Sequence, residues 1–389
     1  MSAETKTPDN ATLVNRFAHP FFESKTSGGK TMIQHIIGTL EPFPISKGDA
    51  VMKLEDIIGG AGVRQIVSAK SITFHCVGDT GHENGEAQTA VSNAMTKDYD
   101  ISKPGNSPAL FIHLGDVNYY KNNDVGYHAQ FYEPYVHYPG KIIAIPGNHD
   151  GELFKYDGSS VGQTKSLEAF DNNFCMDKPG IPSAAGSIYR QMYNQPGVYW
   201  LLKSPFADVI GLYSNCAENP GFISGATIGF EQKKWLTNTL KAIKAERISS
   251  GKKKALLIAT HHPPLSHSGH SGSVEMLADI DGSCHDAGIM YDAFLSGHAH
   301  NYQRFTRTIT ANGKSIKIPY LVAGTGGRGI TLITNATGSA TGDYTYDKSS
   351  TGYGYLNINV SATTLTITFI QVDDKTGNKN VFDKVMVTL

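Results

Sequence analysis

Cysteine is scarce in this 389-residue chain and charge of either sign is in no excess, and each shortage excludes something. The four cysteines, Cys76, Cys175, Cys216 and Cys284, are widely scattered and form no CxxC pair. That pattern fits reduced thiols in an intracellular protein and not a disulfide framework. Lys and Arg number 34 against 35 Asp and Glu, a net charge of -1. Neither a basic excess nor a basic stripe interleaved with aromatics is present, so a nucleic-acid partner is not expected. Lys252 to Lys254 reads as the solvated entry to a strand. No run approaches the ~18 apolar residues of a membrane span. The start, MSAETKTPDN, lacks a basic-then-apolar leader pattern. The expectation is a cytoplasmic chain, or a secreted one if a leader was removed. With 40% hydrophobic and 18% charged residues the composition is that of a globular protein. One residue is locally abundant: seven of the 15 histidines fall between His261 and His300.

The first 70 residues are weakly patterned, and they are read as an N-terminal arm of unknown role preceding a domain over 71–389. Within the arm VMKLEDIIGG reads as a short helix closed by glycines. From Ser71 a rhythm appears in which short β-rich runs end in a small or polar residue: 71–78, 108–115, 141–147, 208–214, 254–260 and 290–297. Several are almost continuously apolar, as strands buried on both faces should be. Helical patterns lie between them, the strongest being FEQKKWLTNTLKAIKAER, with Trp235, Leu236, Leu240 and Ile243 on one face. Beyond His300, IKIPYLVAG, YGYLNINVS, TLTITFIQV and DKVMVTL alternate apolar and polar residues and predict antiparallel strands. The fold class predicted is α/β, a two-layer β-sandwich of mixed sheets flanked by helices. The segment 151–195 reads as a long loop able to cover the edge of a site.

Five strand ends run directly into residue types that bind metals: GDTG (Asp79), GDVNY (Asp116, Tyr119), GNHD (Asn148, His149, Asp150), THHPP (His261, His262) and GHAH (His298, His300). Ligands bind α/β sheets at the carboxyl ends of strands, where successive loops converge. Each fragment alone is weak, because Gly-Asp after a strand also serves as a turn or a cap. Five together, in one order, exceed what packing requires.

That order resembles the calcineurin-like metallophosphoesterases and, more narrowly, the purple acid phosphatases. The resemblance covers about Ile72 to Leu389. It implies a dinuclear centre in which Asp79, Asp116, Tyr119 and His300 hold the first metal, Asp116 bridges, and Asn148, His261 and His298 complete the second. The implied ions are Fe(III) plus a divalent Fe, Zn or Mn. The implied reaction is hydrolysis of a phosphomonoester by a metal-bound hydroxide. Tyr119 and the Asp79-Thr80-Gly81 start separate this sequence from relatives that begin with DxH.

His149, one residue after a proposed ligand, is the candidate that protonates the leaving oxygen. Asp150 either orients it or a ligand, or caps the following turn. His270, in a Ser- and Gly-rich loop, is the substrate-binding candidate, with a solvated loop histidine as the plain alternative. His82 and Asn215 are weaker candidates, and His262 is a neighbour of the centre. His75 and His113 lie inside strands as satisfied core histidines, and His285 has no assignment. GTGGRG at 324–329 matches a dinucleotide fingerprint, but no helix follows it, so it reads as a loop near the site whose backbone N–H groups face phosphate. Glycosylation-type triplets at Asn10, Asn335 and Asn359 carry no weight. Two further readings keep the motifs: a phosphodiesterase on the same centre, and a phosphate-binding module without turnover. The expected partner is a phosphate-ester substrate, with no membrane involved and the oligomeric state open.

Overall fold

The computed structural model describes residues 40–389 apart from 83–84, 156, 312 and 335–336. Asn10 and Asn335, and the first 39 residues of the predicted arm, lie outside the described residues. Two sheets form the body. The first has six strands, of which β2 (Ser71–Val77), β3 (Leu110–His113) and β4 (Lys141–Ala144) run parallel. They are extended on one side by β13 (Gly354–Ser361), β14 (Thr364–Val372) and β15 (Lys379–Thr388), all antiparallel. The second has nine strands, with β11 (Ala340–Thr341) and β12 (Tyr344–Ser350) at one edge. Its centre is a parallel set of β6 (Ala207–Gly211), β7 (Ala255–Ala259), β8 (Ala293–Ser296) and β10 (Lys314–Ala323). β9 (Tyr302–Ala311) pairs antiparallel with β10, so IKIPYLVAG has one parallel neighbour and one antiparallel, where antiparallel pairing alone was expected. On the other side β5 (Trp200–Lys203) lies antiparallel to β6, and β1 (Val51–Lys53) closes the edge parallel to β5.

The period-2 pattern explains the layers. In β7, Ala255, Leu257 and Ala259 face the opposite sheet, while Leu256 and Ile258 face the outer helices. In β3, Leu110 and Ile112 do the first and Phe111 the second. Strands used on both faces must be apolar throughout, which is why these runs read as continuous. Helix α1 spans Leu54–Ala69, α2 Glu86–Thr96, α3 Glu231–Ser250 and α4 Val274–Ala287. Leu236, Leu240 and Ile243 of α3 pack with Met276, Ile280 and Cys284 of α4 in the outer core, and Trp235 is half-buried beside them. The Trp200 indole N–H donates to the Ala144 carbonyl at 3.0 Å and so ties one sheet to the other. None of the four cysteines is in a disulfide.

Two sequence readings are corrected. VMKLEDIIGG is not a short helix closed by glycines: its first three residues are β1, and α1 runs on to Ala69, kinked at Gly59 (φ 77°). Leu54, Ile57 and Ile66 join the core between the sheets. The segment 151–195 is not all loop, since Glu168–Phe174 is helical and buries Phe170 and Phe174. Helix α4 has no counterpart in the sequence reading, and it carries the fully exposed His285. Among the described residues no helix is long and apolar enough to cross a membrane.

Candidate metal centre

The parallel strands of both sheets end at one place. β2, β3 and β4 deliver Asp79, Asp116 and Asn148, and β7 and β8 deliver His261 and His298. The backbone there is held in an unusual state: Asp79, Asp116 and His298 all have positive φ, at 58°, 55° and 66°. Non-glycine residues seldom adopt that region, and such strain persists where surroundings over-determine it. The surroundings here are the loops themselves. Asp79 N–H donates to Gly115 O at 2.9 Å and Gly297 N–H donates to His261 O at 2.9 Å. A Cβ on Gly147 would lie 2.1 Å from Asp116 Oδ1, so only glycine lets the third loop pass the second carboxylate.

Each histidine has one ring nitrogen committed outward. His261 Nδ1–H donates to Leu114 O (2.8 Å) and His300 Nδ1–H to Gly329 O (2.7 Å). His298 Nε2–H points at Asn219 Oδ1 (3.4 Å), an oxygen that also accepts the Ser271 N–H at 2.9 Å. These bonds set the tautomers and turn three lone pairs inward. His261 Nε2, His298 Nδ1 and Asn148 Oδ1 converge at 3.0 to 3.2 Å. Asp116 Oδ2 adds a carboxylate oxygen 3.4 Å from His261 Nε2. A flipped Asn148 amide would donate to both rings. Here its oxygen faces inward instead, and its buried Nδ2 has no partner among the described residues.

The second set is richer in oxygen. Tyr119 Oη lies 3.1 Å from both Asp79 Oδ1 and His300 Nε2, and those two atoms are 3.4 Å apart. Burial, with Asp116 and Asp79 nearby, pushes the Tyr119 phenol well above its ordinary range, so a phenolate here needs a cation. Gln130 holds the tyrosine backbone from both sides, accepting from its N–H (3.0 Å) and donating to its carbonyl (3.1 Å). Each carboxylate is pinned by one backbone donor, Asp79 Oδ2 by His298 N–H (2.7 Å) and Asp116 Oδ1 by His149 N–H (3.0 Å).

Of three groups of potential ligand atoms among the described residues, two, Asp116–His261–His298 and Asp79–Asp116–His300, share Asp116, and the third is His149–Glu152–Glu218. Inward acceptors without a donor are unfavourable alone and become favourable around a cation. The residues fit a metal pair. Burial opposes charge on His261, yet the Asp116 and Asp79 carboxylates outweigh it and push the ring up to about 9.

The model of the calcineurin-like phosphoesterase family matches residues 72–302, more than half of the chain. The chain belongs to the calcineurin-like phosphoesterases. It is 24% identical over 271 residues to a protein named probable purple acid phosphatase 20 of Arabidopsis thaliana; the match covers 66% of the chain. It spans 52% of that relative, about half its length. Among solved structures it is similar in fold to Plasmodium GAP50, titled the anchor in the inner membrane complex. The TM-score is 0.51 at 13% identity, covering 82% of this chain and 89% of that one. PhoD gives a TM-score of 0.51 at 14% identity, covering 82% and 70%. At these identities the structural likeness speaks for the fold alone.

The remaining predicted residues divide clearly. The His149 ring stands 4.5 Å from that of Tyr119 and 5.0 Å from that of Tyr120. His270 packs its ring 4.4 Å from His298 and 5.5 Å from His300. Asp150 takes the capping alternative: it accepts Gly147 N–H at 2.8 Å and Val117 N–H at 3.2 Å, joining two motif loops. His262 is buried between Ser214 Oγ and Ala217 O, both at 2.8 Å. His113 lies 2.8 Å from Thr80 Oγ1, and His75 lies between Tyr138 and Asp98, 3.0 Å from each. Asn215 accepts Ala217 N–H at 2.6 Å and shapes the loop that carries Glu218 and Asn219. His82 lines a separate groove with Glu86 and His137.

Sequence reasoning missed Glu152, Asn219 and Arg328. Glu152 Oε2 is 2.7 Å from His149 Nδ1, with both side chains largely buried. Burial works against charge on His149, but Glu152 and Asp116 together raise it well above the ordinary histidine range. Glu152 follows His149 by one helical turn, a spacing that marks possible contact.

Proposed function

We propose that this chain is a metal-dependent phosphomonoesterase of the purple-acid-phosphatase kind. The observation that carries the reading is the phenol of Tyr119, 3.1 Å from both Asp79 and His300. Asp79, Asp116, Tyr119 and His300 would hold a hard ion, Fe(III), and Asp116, Asn148, His261 and His298 a divalent Fe, Zn or Mn. When bound, such a pair supplies Lewis acidity toward phosphoryl oxygens and an acidified nucleophilic water. The chain does the rest. Glu152 holds His149 Nδ1, which leaves Nε2–H as the proton source for the departing alkoxide. His270, its ring against His298 and His300, contacts the phosphoryl group.

The test is initial rates on a chromogenic phosphomonoester and the matching diester, from pH 4 to 9, with metal-loaded protein and an Asp116→Ala control. Monoester turnover that exceeds diester turnover and vanishes in the control is the expected result. A strong diester preference would replace the claim with a phosphodiesterase. Turnover of neither ester by fully loaded protein would overturn it.

A further inference from the structure

The loop read from sequence as a source of backbone N–H groups also carries a cation. Arg328 stacks its guanidinium on Tyr119, 4.3 Å from the ring centroid, and stands 5.4 Å from that of Tyr120. Its backbone N–H donates to Asp79 O at 3.0 Å, and Gly326 N–H donates to Gly78 O at 3.1 Å. The loop is thus fastened to the motif that carries the first carboxylate. Gly327 sits at φ 144°, and a Cβ there would come within 2.5 Å of Gln88 Cβ, so the loop has little room to move away. Thr331 Oγ1 accepts the His300 N–H at 2.8 Å, which fastens the loop's far end. Arg328 is half-buried, and no carboxylate among the described residues pairs with it. An arginine stacked on an aromatic face keeps its edge donors pointing outward for a planar oxyanion contact.

We propose that Arg328 is a substrate-binding residue that favours dianionic phosphomonoesters over monoanionic diesters by contacting the non-bridging phosphoryl oxygens. The inference rests on the phosphatase reading above and sharpens its substrate class. Coulomb attraction scales with the ligand's charge, so one fixed cation at the rim gains more from a dianion than from a monoanion. It also partly offsets the repulsion a dianion meets from the clustered carboxylates Asp79, Asp116, Glu152 and Glu218.

The experiment compares wild type, Arg328→Ala and Arg328→Lys at one pH, after verifying equal metal content. Arg328→Ala should lower kcat/KM for the monoester about tenfold or more, as expected for a lost charged hydrogen bond, and change the diester far less. Arg328→Lys should recover part of the monoester preference. An unchanged monoester-to-diester ratio, whether neither rate falls or both fall equally, overturns the proposal. So does a larger loss on the diester. If the loaded wild type turns over neither ester, the phosphatase reading fails first. Inorganic phosphate binding to the same proteins then decides Arg328: about tenfold weaker binding in Arg328→Ala supports it, and equal binding overturns it.

Discussion

The two sheets contribute different chemistry to the centre. The six-stranded sheet supplies oxygen donors, from Asp79, Asp116, Tyr119 and Asn148. The nine-stranded sheet supplies nitrogen donors, from His261, His298 and His300. Neither sheet holds a complete ligand group, and both groups that share Asp116 draw on both sheets. The centre therefore exists only when the sandwich is closed, and cations binding there stabilise the closed form by mass action. The division also explains an asymmetry in support. The carboxylates are pinned by backbone N–H groups of neighbouring motif loops, whereas the imidazoles are oriented by carbonyls lying outside the centre.

The sharpest way to break this comparison is to remove the residue both groups share. Asp116→Ala should lower monoester turnover by more than about 100-fold, beyond what loss of an outer partner costs. Rate assays with metal in excess would read it, and activity within a few fold of wild type would contradict the shared role. Glu152→Gln comes next, because it leaves His149 in place without its carboxylate. A fall of about tenfold to 100-fold in kcat is expected for esters of poorly acidic alcohols, with less for nitrophenyl esters that leave unaided. On the nitrogen side, Asn219→Ala removes the oxygen that orients His298. Divalent-ion affinity, followed by titration calorimetry, should weaken about tenfold to 100-fold. Saturating metal should raise the stability of wild type by about 2.7 kcal/mol at 100 times Kd, and Asp116→Ala should lose most of that gain in a thermal melt.

The smallest expected effect contrasts the centre with a carboxylate that only supports the fold. Asp98 sits on β2's outer face, where burial opposes its charge. Hydrogen bonds from His75, Lys379 and Tyr355 outweigh that and hold it at about 2. A depressed carboxylate contributes stability above its unfolded value near 3.8, and that contribution disappears as pH falls from about 4 to about 2. Asp98→Asn should therefore cost about 2 kcal/mol in denaturant unfolding at pH 7, with the difference shrinking toward zero near pH 2. A gap that persists at low pH would mean that packing, not charge, is what Asp98 supplies.

The motif residues were legible because each stands at a strand end, and a strand buried on both faces announces itself by unbroken apolar sequence. The order of those strand ends brings Asp79, Asp116, Asn148, His261 and His298 to one end of the two sheets. Glu152 carries a weak local signal, three residues from His149. Asn219 and Arg328 carry none, since each reaches the centre through a loop whose path is set by contacts distant in sequence: Ser271 for one, Asp79 and Gln88 for the other. Val51 to Gly60 were misread for a related reason. Val51–Lys53 is too short to show alternation, and its strand character comes from pairing with β5 some 150 residues away.

Metal stoichiometry in single variants tests the central claim most directly. Elemental analysis of desalted, reconstituted protein should find two ions per chain in wild type and about one in His261→Ala, with neither retained at full occupancy in Asp116→Ala. Tyr119→Phe should keep the divalent ion and lose the visible absorption of a phenolate–Fe(III) pair. One ion in wild type, or two in Asp116→Ala, would contradict two cation sites that share a carboxylate across the sheets.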